Sequence, residues 1–392
     1  MIYLDNNATT AIDPDVADVI ATVYRQGPAN ASSQHAAGRS AAALMEQSLE
    51  TIAGALGTDF SVPGGPRLIF TSGGTESNHL AVSGIQHPDR GRCEGPIVLS
   101  KIEHPSVLAT AESLSTAGRP VRWIPVDRHG TVLTETLPQL ISGESTDDGF
   151  GKAGLVSLMS ANNETGVIQP IEQVARLCRE QNVPLHVDAT QSIGKVPVRL
   201  DELGCSAITF TAHKLHGPVG VGALWLAAGV KLSPTMHGGQ QQLESRPGTE
   251  PVALIAGMAE AIRIATDNLA GHADLMRMLR DRLEQSIQSQ HDSVVIHGQD
   301  ALRLPNTSFI SFLGADRQSM LMATDMDGIA CSSGAACSSG SSPPSHVLQA
   351  MGCDRAEVAS ALRFGVSRFS TLEEIDIASE RISLIYKRLR QK

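Results

Sequence analysis

Two rhythms of apolar and polar positions alternate along the chain. Short runs dominated by aliphatic and β-branched residues recur at Arg67–Thr71, Ile97–Ser100, Val121–Pro125, Leu155–Ser160, Pro184–Asp188, Ala207–Thr211 and Val221–Leu226. Between several of them lie longer stretches with apolar residues at helical spacing. Asp13 followed by Pro14 reads as a helix cap with proline in the first turn, and Val16, Val19, Ile20 and Val23 continue one face. A second helix is predicted over Arg39–Leu56, stopped by Gly57, and a third over Ile171–Gln181. Strands alternating with helices imply βαβ units, so the pattern predicts an α/β fold built on a mainly parallel, seven-stranded sheet.

After about Thr249 the texture changes. Two long helical patterns run from Val252 through Gln288, followed by shorter strands at Ser293–Ile296 and Thr307–Phe312 and a last helix beginning near Thr371. This reads as a large domain over 15–250 and a smaller α/β domain over 251–392, the latter joined by the N-terminal segment 1–14. Polar, glycine-rich stretches at Gly91–Gly95 and Ser142–Gly151 read as surface insertions.

Composition narrows the function classes. With 392 residues, 41 % hydrophobic and 18 % charged, the chain is neither disordered nor a coiled coil. A net charge of -10 argues against a broad basic surface for nucleic acid, and 3 % aromatics is thin for a stacking platform. The start, Met1-Ile2-Tyr3-Leu4-Asp5-Asn6-Asn7, has no basic region followed by an apolar one, and the apolar stretch Val219–Val230 falls short of the ~20 residues of a membrane helix. A cytoplasmic protein with reduced thiols is the expectation.

Three motifs carry candidate chemistry. In Phe70-Thr71-Ser72-Gly73-Gly74-Thr75-Glu76-Ser77 a strand ends, two glycines turn, and a helix begins: free N–H groups at Gly74 and the Thr75 hydroxyl could cradle a phosphate, although an ordinary capped turn looks the same. In Leu185-His186-Val187-Asp188-Ala189-Thr190-Gln191 a carboxylate sits at the end of a buried strand, either as ligand contact or as helix cap. In Phe210-Thr211-Ala212-His213-Lys214-Leu215-His216 a lysine follows an apolar strand between two histidines, a setting for a Schiff-base amine or simply a strand-exit loop. Together they match what pyridoxal phosphate demands: a gripped phosphate, an Asp at the pyridinium nitrogen and a lysine at the aldehyde. His104, after a strand, is a candidate to cover the ring face in a chain so poor in aromatics. Cys331 and Cys337 lie in a Ser/Gly/Pro-rich stretch expected to be a mobile loop, where an exposed thiol could act as nucleophile; their spacing does not read as a zinc site, and no metal is expected.

These residues resemble the NifS/IscS-like cysteine desulfurases, pyridoxal-phosphate enzymes related to class V aminotransferases. The likeness runs from Tyr3–Thr10 through the Gly73-Gly74 turn, Asn162-Asn163-Glu164-Thr165-Gly166, the Asp188 and Lys214 motifs, Gly238–Gln241, Arg246–Glu250 and the cysteine stretch to Leu362–Phe369. It implies fold type I, with Lys214 carrying the cofactor, Asp188 on the ring nitrogen, Gln191 on the ring hydroxyl and His104 stacked and shuttling protons. It further implies Gly74, Thr75, Thr211 and His213 on the phosphate, Thr249 reaching it from a partner subunit, and Asn163 and Arg363 on the substrate carboxylate. Cys337 matches the sulfur-accepting cysteine. The implied reaction converts L-cysteine to L-alanine and passes sulfur to an acceptor such as an iron–sulfur scaffold; a selenocysteine lyase or class V aminotransferase would share all but the loop thiol. The chain departs from the family pattern at Ala31, Pro247 and Pro343, and Cys331 is an extra thiol.

Overall fold

The computed structural model describes residues 1–87, 91–144, 148–334 and 343–390. Its strands are β1 (Ile2–Tyr3), β2 (Arg67–Thr71), β3 (Ile85–His87), β4 (Gly91–Arg92), β5 (Ile97–Ser100), β6 (Val121–Ile124), β7 (Leu155–Met159), β8 (Leu185–Asp188), β9 (Ala207–Thr211), β10 (Gly222–Leu226), β11 (Lys231–Leu232), β12 (Val294–Ile296), β13 (Thr307–Phe312), β14 (Ile329–Ala330) and β15 (Ala361–Gly365). The main helices are α1 (Pro14–Arg25), α2 (Ala36–Leu56), α3 (Gly74–Gly84), α4 (Pro105–Thr116), α5 (Leu137–Ser142), α6 (Ile171–Glu180), α7 (Val252–Asp267), α8 (Leu269–Gln288), α9 (Arg317–Met326), α10 (His346–Ala350), α11 (Arg355–Ala359) and α12 (Leu372–Arg390).

The seven expected apolar runs form one sheet in the order β2-β10-β9-β8-β7-β5-β6. β5, β7, β8, β9 and β10 are buried at every position, as continuous apolar strands must be when helices cover both faces. β10 alone runs against the rest: it is antiparallel to both β9 and β2, so β2 again points the same way as the parallel strands. Six carboxyl ends therefore open on one edge of the sheet. Polar groups are matched even inside it: His186 in β8 bridges Ser157 Oγ in β7 (2.9 Å) and Thr209 Oγ1 in β9 (3.0 Å).

A second apolar core gathers Leu4, Leu279, Phe312, Phe364 and Tyr386 around α8, α12 and the β12-β13-β15 sheet. The N-terminal segment is stitched to it, β1 pairing in parallel with β14 and Gly365 N–H donating to the Leu4 carbonyl at 2.7 Å. α2 starts three residues earlier than the apolar pattern indicates because His35 caps it, its Nδ1 accepting from Gly38 N–H. The Gly91–Gly95 stretch is more than an insertion: β4 pairs with β3, and β3 with β11, in a small third sheet. Two-residue strands formed by distant partners leave no periodic trace to read.

Candidate active site

The common edge of the large sheet collects the motif-bearing turns. β2 leads to Gly73-Gly74, β5 to His104, β7 to Asn162-Asn163, β8 to Asp188 and Gln191, and β9 to Lys214. In open α/β sheets this is where ligands bind.

Lys214 closes a short 3-10 turn after β9. Its Nζ donates to the carbonyls of Asn7 and Ala8, both at 2.6 Å, so the N-terminal segment forms one wall. Burial, assisted by Arg363, pushes the Lys214 amine down to about 8. The Asn7 carbonyl also accepts Gln191 Nε2 at 3.1 Å. Asp188 is buried at the end of β8; Asn78 Nδ2 from α3 donates to its Oδ2 at 2.7 Å and the Thr190 N–H to its Oδ1 at 3.0 Å. Asn78 also donates to Ser106 Oγ, which contacts His104 Nδ1 at 2.8 Å. His104 caps α4, its Nδ1 accepting the Ser106 N–H. That bond leaves the ring proton on Nε2, and burial lowers the pKa, so the imidazole is neutral.

Asn162 shapes the loop after β7. Its side chain donates to the Ile102 carbonyl and accepts the N–H groups of Glu164 and Thr165, each at 2.9 Å. The turn ends at Gly166, where φ is +76° and an added Cβ would lie 2.8 Å from Thr307 Cβ. This loop presents Asn163 to Arg363 of β15. The Arg363 guanidinium donates to the Asn163 carbonyl (3.0 Å) and to Asp5 (2.8 Å), which leaves its Nε and the Asn163 Oδ1 buried without a partner.

Gly74 opens α3. Thr75, in its first turn, is exposed, as is Thr249 in the segment before α7. Thr211 donates its hydroxyl proton to the Val221 carbonyl (2.9 Å), which turns it away from the cradle, and His213 Nδ1 contacts Thr9 Oγ1 (3.1 Å). The structure thus brings Lys214, Asp188, Gln191, His104, Asn163 and Arg363 to one place. Cys337 lies outside the described residues.

The class V aminotransferase family matches residues 2–377. The chain is 37 % identical to a cysteine desulfurase of Sinorhizobium fredii over all of its own length and 97 % of the relative's. It is 39 % identical to an IscS-like cysteine desulfurase of Mycobacterium tuberculosis, over 97 % and 95 %. The solved NifS-like protein of Rickettsia africae superposes with a TM-score of 0.87 at 32 % identity, covering 99 % of each chain. The chain belongs to the class V aminotransferase family. Its fold is that of the type I pyridoxal-phosphate enzymes.

The class V family depends on pyridoxal phosphate, and the residues here suit that group. Thr190 Oγ1, Asn78 Oδ1, Asn163 Oδ1 and Arg363 Nε are buried polar atoms lacking hydrogen-bond partners. They surround the Lys214 and Asp188 turns, where a polar ligand would satisfy them. A Cβ on Gly74 would come 3.3 Å from Thr190 Oγ1, so glycine keeps the cradle open.

None of the described cysteines, Cys93, Cys178, Cys205, Cys331 and Cys353, is joined in a disulfide. Burial pushes Cys178, Cys205 and Cys331 up to about 12, and Cys331 Sγ rests 3.4 Å from Thr324 Oγ1. Cys331 is therefore a packed thiol rather than a thiolate. Sequence reading missed Glu103, Asn78 and Lys195. Glu103 is fully buried between Ser100 Oγ (2.5 Å) and the Met159 N–H (2.9 Å), and burial pushes its carboxyl up to about 8, so it is neutral. Its position between a strand end and His104 is the one signal that could have marked it. Among the described residues, no helix is long and apolar enough to cross a membrane.

Proposed function

We propose that this chain is a pyridoxal-phosphate cysteine desulfurase that converts L-cysteine to L-alanine and carries the removed sulfur on Cys337. The observation that carries the reading is Lys214, a half-buried amine with a depressed pKa near the buried strand-end carboxylate Asp188 in a chain like cysteine desulfurases over its whole length.

Bound pyridoxal phosphate supplies the electron sink for charge that develops at the substrate Cα. Lys214 would hold the cofactor at its aldehyde carbon, and its free amine would take the substrate Cα proton. A side chain near pH 8 is neutral in a useful fraction of molecules at working pH. Asp188 pairs with the ring nitrogen, its orientation set by Asn78. Gln191 faces the ring hydroxyl. His104 covers the ring as a neutral imidazole and exchanges protons through Nε2. Gly74, Thr75 and His213 would surround the phosphate, Thr211 backing the cradle through its bond to the Val221 carbonyl, with Thr249 completing it from a second copy of the chain in a homodimer. Arg363 and Asn163, each with an unpaired buried atom, take the substrate carboxylate. The Cys337 thiolate attacks the substrate sulfur. The carbon–sulfur bond breaks with its electron pair left on carbon, and the new sulfur–sulfur bond leaves a persulfide on Cys337.

We read 15–250 as the cofactor domain and 251–392, with 1–14, as the domain that brings Arg363 and the cysteine stretch to it. The sulfur acceptor is a protein such as an iron–sulfur scaffold in the cytoplasm. The test is turnover of L-cysteine with a thiol reductant: equal amounts of alanine and sulfide are expected. Cys337→Ser should abolish sulfide release and keep the cofactor's visible absorption. A Cys337→Ser protein with full desulfurase activity would overturn the assignment.

A further inference from the structure

The turn after Asp188 carries a lysine that the proposed chemistry does not use. Lys195 is 5 % exposed, four residues beyond Gln191, and its Nζ donates to Gln191 Oε1 at 2.9 Å. Gln191 in turn donates from Nε2 to the Asn7 carbonyl, the same oxygen that accepts Lys214 Nζ. A continuous chain of hydrogen bonds thus runs from Lys195 through Gln191 and Asn7 to the catalytic amine. A narrow cavity lined by Lys195, Lys214, His216, His272, Asn306 and Arg368 lies alongside.

Lysine is almost never fully buried without a purpose or a partner. The groups near Lys195 include Lys214, Arg363, His213, His216, His272 and Arg368; the neighbouring carboxylates, Asp5 and Asp13, are ion-paired with Arg363 and Arg368, so neither explains its place. Its one hydrogen bond goes to a carboxamide oxygen. Protonated lysine offers donors only, whereas a carboxamide has an accepting end and a donating end. Lys195 on one side and the Asn7 carbonyl on the other therefore permit a single orientation of Gln191, with oxygen toward Lys195 and nitrogen toward Asn7.

Resting on the reading of this site as a pyridoxal-phosphate site, we propose that Lys195 is a positioning residue for the cofactor: it clamps Gln191 so that the amide N–H groups, not the oxygen, are turned to the cofactor's ring hydroxyl. Without the clamp only the Asn7 carbonyl holds the carboxamide, so the turned-over form, with its acceptor against the ring oxygen, becomes more populated. Lys195 also adds positive charge near Lys214, and burial among these basic groups pushes Lys195 itself down to about 7.

The test uses full-length apoprotein titrated with pyridoxal phosphate, followed by absorption. In Lys195→Met, affinity for the cofactor should fall roughly tenfold and the pH midpoint of the visible absorption should rise by about one unit, the size of one charge-assisted hydrogen bond. In a Gln191→Leu background the same substitution should add less than half of either effect, because the group it orients is gone. Lys195→Gln serves as the second variant if Lys195→Met does not fold. Wild-type affinity and midpoint in both variants would overturn the clamp while leaving the desulfurase reading intact. So would an undiminished shift in the Gln191→Leu background, which would mean that Lys195 acts by charge alone. Wild-type apoprotein that does not bind pyridoxal phosphate would overturn the functional reading, and the clamp with it.

Discussion

The strand-end turn that holds Lys214 and the β14 exit that holds Cys331 show one force giving opposite results. Burial disfavours the charged form of any group. For the Lys214 amine that means a pKa of about 8, so that a useful fraction is neutral and nucleophilic at working pH. For the Cys331 thiol it means about 12 and a protonated, inert sulfur. A fold can thus activate its amine by embedding it, but the same move silences a thiol. The nucleophilic sulfur of a desulfurase therefore has to be held outside the packed layers.

The amine side gives the largest effect. Lys214→Ala should lower desulfurase turnover by about a thousandfold or more, since it removes both the cofactor's attachment and the base. An activity assay with saturating cofactor checks it, and turnover within tenfold of wild type would break the contrast. Arg363→Met, which withdraws the cation nearest that amine and frees Asn163, should raise KM for L-cysteine roughly 100-fold, with a smaller change in kcat. Steady-state kinetics that leave KM untouched would remove Arg363 from carboxylate binding.

Stability effects come next. Asn162→Ala strips acceptors from two buried N–H groups and should cost about 2–3 kcal/mol, read by denaturant unfolding. Burial holds His216 and His297 down at about 4, below the ordinary value near 6.5. Between those values the unfolded chain binds the extra protons, so the stability these histidines give above pH 6.5 drains away as pH falls through 4. Thermal melts should show that loss, and His297→Gln should flatten it; an unchanged slope would refute the assignment. The smallest effect belongs to the silent thiol. Cys331→Ser should keep activity within about twofold, in keeping with a mutation that touches no reacting group.

The large sheet was legible because its strands are mostly buried and mostly apolar, and the motif turns because chemistry crowded onto strand exits is visible in one dimension. What could not be read depends on partners far apart in the chain. Asn7 acts through its carbonyl, which every residue has. β11 pairs through two residues with β3, far back in the chain. Lys195 had a faint signal, its spacing of four from Gln191, but the close packing of the turn before it, where a Cβ at Gly194 would lie 2.9 Å from Ala265 Cβ of α7, has no trace in sequence. Thr211 kept its expected place yet donates its proton to the backbone, a choice only the three-dimensional surroundings decide.

The lone reversed strand has a consequence for how the protein is made. β2 sits at the end of the sheet order beside β10, and Gly222 at the start of β10 presses on Gly73, where a Cβ would lie 2.5 Å from the Gly73 carbonyl carbon. The turn proposed to grip phosphate is therefore braced by a segment that leaves the ribosome some 150 residues later, about 10–30 s at ordinary elongation rates. Until then the nascent chain has no completed cradle, and cofactor capture has to wait at least for β10.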